Sequence, residues 1–174
     1  SDPDEFSLVA GTSLTIPLAT MEVRLKAFQS GLYPSETVSH GYVQVDRDLR
    51  DFDTNLPIVM IDTFGQSLPS IAPFGQEDIP FTPAFVRIVD RDETGRAVLD
   101  APSSFAGRAG IKPRGSSTAG REKASLSVEL WDGFDEDRDV SLLGMPAESD
   151  WVLQGPLEFD RAMMRNPFIY RLGR

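Results

Sequence analysis

The segment "GRAGIKPRGSSTAGREKASLSVELWD", residues 107–132, contains the features on which the fold prediction depends. In a chain whose net charge is -10, it carries five basic residues within sixteen positions: Arg108, Lys112, Arg114, Arg121 and Lys123. No acidic residue occurs between Asp100 and Glu122, and the middle of the segment is the run "GSSTAG". The sequence therefore has a basic loop, rich in glycine and hydroxyl groups, in an otherwise acidic chain.

Two strand-like runs flank this loop, "AGIKPRG" (109–115) and "KASLSVELWD" (123–132). In the second run Leu126, Val128 and Leu130 alternate with polar residues, a period of two that is typical of a half-buried strand. Pro113 has no backbone N–H to donate, so it predicts that the first strand lies at an edge or a bulge.

Further strands are predicted on both sides of this segment. The continuous apolar run "LPIVMID" (56–62) is typical of a strand buried on both faces. The stretch "AFVRIVDRDETGRAVLD" (84–100) indicates a hairpin whose turn is formed by Asp92-Glu93-Thr94-Gly95. A short strand is expected at 150–155, which gives a mostly antiparallel order.

The last segment, "EFDRAMMRNPFIYRLGR" (158–174), predicts a helix with Asp160 as its N-cap. Pro167 is expected to kink this helix. Three apolar residues fall on one stripe at a spacing of four: Met164, Phe168 and Leu172.

The N-terminal part predicts short alternating strands at 13–18, 21–28 and 37–45, too few to close a β-sandwich. A charged run at 46–55, "DRDLRDFDTN", is a candidate linker. We therefore expect a partial β-sandwich at 1–47 and a second unit at 48–174. Since the chain opens on Ser1 and the sandwich would lack strands, we expect it to be part of a longer protein.

Composition excludes several classes of protein. There is no cysteine, which excludes disulfides and a thiol nucleophile. His40 is the only histidine, so a Ser-His-Asp triad has only one candidate for its histidine. A pI near 4.5 argues against nucleic acid as a partner. No apolar run is long enough to predict a transmembrane segment. The acidic turn at 132–139 fails the EF-hand spacing, so we predict no metal site there.

Four motifs resemble the CotH-type atypical protein kinases: "IKPRGSST" (111–118), "KASLSVEL" (123–130), "DRDVSLLGMPAESDWVLQGP" (137–156) and "EFDRAMMRNPFIYRL" (158–172). The run "NLPIVMIDT" (55–63) is similar to the strand that opens this family's domain. Residues 2–45 resemble the tail of a chitobiase/β-hexosaminidase C-terminal-like module.

The resemblance implies an α+β fold in which 48–174 form the mostly antiparallel N-terminal lobe of a kinase-like domain, with a C-terminal helix. It also implies that the basic loop faces a nucleotide. Such a loop offers backbone N–H groups and hydroxyls to phosphate oxygens, and a lysine and an arginine would add fixed charge. The implied phosphate-binding residues are Arg114, Gly115, Ser116, Ser117, Thr118 and Lys123. The implied supporting residues are Glu158, Asp160, Arg165 and Asn166, with Glu158 or Asp160 as a partner for Lys123.

The function that the resemblance implies is protein phosphorylation by ATP with Mg²⁺ or Mn²⁺, at or outside a bacterial surface. The catalytic and metal-binding aspartates are expected downstream of Arg174, so this chain alone is expected not to transfer phosphate. Two purely structural interpretations stay open. The loop would be a solvated hairpin, and the supporting residues would only cap a helix and lie on its solvated face. The alternative functions are a non-catalytic surface or coat module and, with little support, carbohydrate binding.

Overall fold

The computed structural model describes residues 2–70, 79–115, 123–155, 157 and 159–173. The described residues form eleven strands, one short 3₁₀ helix at Arg47–Leu49 and one α-helix. The strands are β1 (Met21–Leu25), β2 (Val38–Tyr42), β3 (Asp53–Thr54), β4 (Ile58–Asp62), β5 (Thr82–Val89), β6 (Ala97–Val98), β7 (Phe105–Arg114), β8 (Ser125–Trp131), β9 (Val140–Ser141), β10 (Ala147–Glu148) and β11 (Asp150–Leu153). The α-helix, α1, spans Arg165–Leu172. The prediction of a mostly antiparallel β structure with one C-terminal helix is confirmed.

One five-stranded antiparallel sheet, in the order β11-β8-β7-β5-β4, dominates the fold. The long strand β7 lies at its centre, where Phe105–Ile111 pair with β5 and Arg108–Arg114 pair with β8. Three two-stranded sheets complete the structure: β1-β2, β3-β6 and β9-β10. Among the described residues, no helix is long and apolar enough to span a membrane.

The hydrophobic core lies against one face of this sheet, because alternate residues of each strand point to that face. It is built on Ala109 and Ile111 of β7 and on Val128 and Leu130 of β8, all of which are buried. Leu126 packs against the same cluster, so the alternation predicted for the second run is confirmed. The opposite face of β7 carries Arg108, Lys112 and Arg114.

Two predictions about strand position were wrong. β4 is an edge strand whose residues are only half buried or exposed, and not a strand covered on both faces. β7, which contains Pro113, is the central strand and not an edge strand. Proline is tolerated there because β5 begins at Thr82, opposite Ile111, so that only β8 pairs with the strand at Pro113.

The predicted hairpin at 84–100 has the expected turn but different strand pairing. Gly95 has a positive φ of 79°, and Asp92 N–H donates to the Arg96 carbonyl over 2.8 Å. Beyond the turn, however, β6 pairs with β3 and not with β5. The sides of β5 are already taken by β4 and β7, so the chain leaving the turn has no free edge to join.

The N-terminal part contains one two-stranded sheet, β1-β2, in which Val23 pairs with His40. The strand predicted at 13–18 is not formed, and those residues are largely exposed. The partial sandwich and the division of the chain at residue 47 remain predictions.

β1 packs on the five-stranded sheet through its charged residues and not through its apolar ones. Arg108 of β7 forms ion pairs with Glu22 of β1 and with Asp135, and Glu22 is only 9% exposed. Arg24 donates to the Gly133 carbonyl, whereas Leu25 on the other side of β1 is exposed. A buried pair of this kind is strongly sensitive to removal of one partner, because the other charge stays desolvated.

We predict that Glu22→Gln lowers the free energy of unfolding by about 1–3 kcal/mol, because Arg108 loses a buried charged acceptor. Chemical denaturation monitored by tryptophan fluorescence measures the change. The matched control is Asp53→Asn, which removes an acid from the exposed Arg96–Asp53 pair. That control should cost less than about 1 kcal/mol. Equal losses of unfolding free energy in the two variants would contradict the conclusion that Glu22 and Arg108 form a buried pair.

A second prediction concerns the Asp92 carboxylate, which accepts hydrogen bonds from the Thr94 hydroxyl and from the backbone N–H groups of Arg96 and Thr94. The Thr94 hydroxyl foremost, and then these N–H groups, lower the pKa of Asp92 below its usual value. A lowered pKa stabilises the folded state above the unfolded pKa, and the stabilisation disappears as the pH falls through the folded pKa. The stability difference between wild type and Asp92→Asn should therefore shrink between about pH 5 and pH 2. This stability difference is measured by thermal unfolding at each pH. A difference that stays constant over the range would contradict the prediction.

Candidate functional site

The predicted phosphate-binding residues that can be placed lie at one end of the β7-β8 pair. Arg114 is the last residue of β7 and pairs with Ser125, the first residue of β8. Gly115 follows with a positive φ of 102°, a conformation that favours glycine. Lys123 lies two residues before β8. The structure therefore brings Arg114 and Lys123 to the same end of two adjacent strands.

The loop that joins these strands, 116–122, lies outside the described residues. The predictions for Ser116, Ser117 and Thr118 therefore remain predictions. The structure does describe the two neighbouring antiparallel strands that the loop joins. One arginine and one lysine lie at the ends of these strands that face the loop.

The three cations on the outer face of β7 have different partners. Arg108 is paired with two carboxylates, and Lys112 lies with its Nζ 4.0 Å from the centre of the Phe81 ring. Arg114 is exposed and contacts the Ser127 hydroxyl at 3.5 Å. Within the described ranges, Arg114 has no carboxylate at ion-pair distance. Arg114 therefore differs from Arg108, whose charge is compensated by two carboxylates.

Lys123 is also exposed, and its Nζ lies 3.7 Å from the Met163 sulfur. It too has no carboxylate at ion-pair distance in the part of the chain that the structure describes. The pairing predicted with Glu158 falls outside the described residues. Asp160, the other predicted partner, uses Oδ2 to accept the Arg165 backbone N–H over 2.6 Å.

The supporting residues are arranged around the start of α1. The helix begins at Arg165, with Met164 at the N-cap position, and not near Asp160 as predicted. Asp160 nevertheless satisfies a first-turn N–H from outside the helix, as a capping side chain does. Asn166 donates through Nδ2 to Gln154 Oε1 over 2.8 Å, which ties α1 to the residue that follows β11.

One other expectation for the helix was wrong. Pro167 does not kink α1, because it lies in the first turn, where the missing N–H has no intrahelical partner to lose. The stripe of Met164, Phe168 and Leu172 is 59–69% exposed, so it does not pack on the core of the described structure.

The acidic turn at 132–139 uses its side chains for local structure. Asp132 Oδ1 accepts the backbone N–H groups of Phe134 and Glu136 at 2.7 and 3.1 Å, and Asp135 pairs with Arg108. Among the described residues, no group of three or more His, Cys, Asp or Glu side chains is arranged to hold a metal ion.

One contact in this region was missed by sequence reasoning. Gly155, two residues beyond β11, lies directly against the main chain of Lys123. A partial signal is that Gly155 falls within the strand predicted at 150–155, since a glycine in a strand can mark a close backbone approach, although it does not identify the partner.

Comparison with protein families identifies a match over the segment that contains this site. Residues 111–174 match the family model described as CotH kinase protein. The match contains every predicted site residue, from Arg114 to Asn166. The predicted resemblance is therefore confirmed over this segment, whereas the likeness of 2–45 to a chitobiase-type module remains a prediction. No curated protein and no solved structure matches the chain significantly.

We predict that Asp160→Ala weakens the first turn of α1 by about 0.5–2 kcal/mol, because the Arg165 N–H loses its acceptor. Amide hydrogen exchange should become faster by a corresponding factor at Arg165, whose N–H donates to Asp160, and at Phe168, whose N–H donates to the Met164 carbonyl. Asp160→Asn keeps an oxygen acceptor and serves as the control. Unchanged exchange in the alanine variant would show that the carboxylate does not cap the helix.

Proposed function

We propose that residues 111–174, which match the CotH kinase family model, bind the phosphates of ATP at the β7-β8 end of the sheet in a protein kinase. The five-stranded antiparallel sheet would be the framework of its N-terminal, nucleotide-facing lobe. The proposed contacts are Arg114, the backbone and hydroxyls of 115–118, and Lys123. The catalytic residues would lie in a second lobe, downstream of Arg174.

The observation that carries this proposal is the position and environment of Arg114 and Lys123. Both are exposed at one end of adjacent strands, flank a Gly-Ser-Thr loop, and have no carboxylate partner among the described residues. In a chain of net charge -10, two exposed cations at one place, without a carboxylate partner in the described part of the chain, favour binding of an anion. A polyphosphate has the charge and the acceptor oxygens that fixed cations and backbone N–H groups bind best.

Within this proposal each residue has a limited task. Lys123 would act as a point charge on the phosphates, and Arg114 would add a two-pronged contact. Positioning and charge stabilisation of this kind supply most of the catalysis in phosphoryl transfer. The described residues do not form a metal site of their own, so Mg²⁺ or Mn²⁺ would be bound by ATP phosphates together with carboxylates from elsewhere in the protein.

We further propose a protein substrate and a location at or outside the cell surface, both by analogy with the family. The alternative is a non-catalytic surface or coat module that keeps the kinase-like scaffold. The step Glu122-Lys123-Ala124 favours this alternative, because family members commonly have Pro-Lys-Lys there and this chain has an acid and an alanine beside the lysine.

The test is transfer of labelled phosphate from ATP by a protein extended past Arg174, together with ATP affinity measured by calorimetry. Lys123→Ala should lower ATP affinity about ten- to a hundredfold, the value of one charge-assisted contact, and should abolish transfer. Lys26→Ala is the control, since Lys26 is paired with Asp2 in the N-terminal part. If the wild type neither binds ATP nor transfers label with Mg²⁺ or Mn²⁺, the proposal fails and the scaffold alternative stands.

A further inference from the structure

The contact between Gly155 and Lys123 leaves no room for a side chain at position 155. A Cβ built on Gly155 would lie 2.8 Å from the Ala124 carbonyl oxygen, and closer still to the carbonyl oxygen of Lys123. Both neighbours are backbone atoms, which cannot rotate out of the way as the end of a side chain can. Only glycine allows the two chain segments to approach this closely.

Contacts on both sides hold this approach in place. The β11-β8 ladder ends at the pair Leu153 and Leu126, and the chain then continues beside the residues that precede β8. Gly155 N–H donates to the Ser125 hydroxyl over 3.1 Å. The preceding residue, Gln154, accepts the side-chain amide of Asn166 from α1.

Lys123 therefore lies between two ordered elements. Its carbonyl contacts Gly155, two residues beyond β11, and its ammonium group contacts the Met163 sulfur, in the segment before α1. The main chain at Lys123 sets where the exposed ammonium group can reach. A displaced carbonyl at this point would move the origin of the whole side chain.

We propose that Gly155 is a positioning residue, which fixes the main chain of Lys123 so that its ammonium group faces the phosphates of a nucleoside triphosphate. This inference rests on the proposed function. Gly155 touches no ligand itself and acts only through Lys123. A misplaced charged group loses much of its effect on a bound phosphate, because the productive geometry is narrow.

The experiment is a double-mutant cycle on ATP affinity with Gly155→Ala, Lys123→Ala and the combined variant. Gly155→Ala should weaken ATP binding about tenfold or more, and should add no loss in the Lys123→Ala background. Gly11→Ala is the control, because a Cβ there would meet no atom within 4 Å and its φ is ordinary. A loss of equal size in both backgrounds would mean that Gly155 does not act through Lys123, and would overturn the inference.

A second readout does not depend on nucleotide. The acylation rate of Lys123 is measured by peptide mapping against the other two lysines of the same molecule, Lys26 and Lys112. Gly155→Ala should change the rate of Lys123 relative to Lys112 at least about threefold, and Gly11→Ala should not. If acylation responds but wild-type ATP binding is absent, the proposed function fails while the positioning of Lys123 by Gly155 stands. If neither acylation nor ATP affinity responds, the inference fails.

Ser125→Ala keeps the experiment decisive if Gly155→Ala does not fold. This variant removes only the hydroxyl that accepts the Gly155 N–H, so the two segments lose one hydrogen bond and no steric clash is introduced. In the double-mutant cycle and in the acylation measurement, this variant should show the same pattern as Gly155→Ala, with smaller changes. A folded Ser125→Ala protein with wild-type values in both measurements would count against the inference.

Discussion

The ten residues of β7 are held by hydrogen bonds to β5 along their first part and to β8 along their last part, and the rest of the sheet depends on this double pairing. Because successive side chains alternate between faces, a fixed register decides at once which residues are buried. Ala109 and Ile111 enter the core, and Arg108, Lys112 and Arg114 must then share the opposite face. A slip of one residue would bury three cations, which the fold could not tolerate.

The three cations on that face of β7 have different surroundings. Arg108, near the middle of the sheet, is covered by β1 and compensated by Glu22 and Asp135. Arg114 lies where β5 no longer pairs with β7 and no described carboxylate reaches it. The same strand thus contacts the N-terminal sheet at one point and, at its other end near Lys123, carries an exposed arginine that has no ion-pair partner among the described residues. One alternating pattern thus provides both the contact with β1 and the exposed arginine at the end of β7.

Local signals predicted a substantial part of this structure. The alternation of Leu126, Val128 and Leu130, and the Asp92–Gly95 turn, follow from interactions within a few residues, and both are found. The family motifs alone identified the segment around the basic loop. Predictions that required a partner were less successful. The partner of β6, the edge position of β4 and the central position of β7 were each predicted wrongly, because strand order is set by pairings over long sequence distances.

The sequence by itself determined the chemistry that is available: no cysteine, a single histidine, an acidic chain, and one basic loop between two alternating strands. Only the tertiary structure decided which of those charges are paired with carboxylates, as Arg108 is, and which are exposed, as Arg114 and Lys123 are. Lys123 and Gly155 are thirty-two residues apart, and although a glycine at the end of a predicted strand can mark a close approach, nothing in either local sequence identifies the partner. That contact exists because β11 pairs with β8 in one register, and hydrogen-bonded register converts distant residues into neighbours.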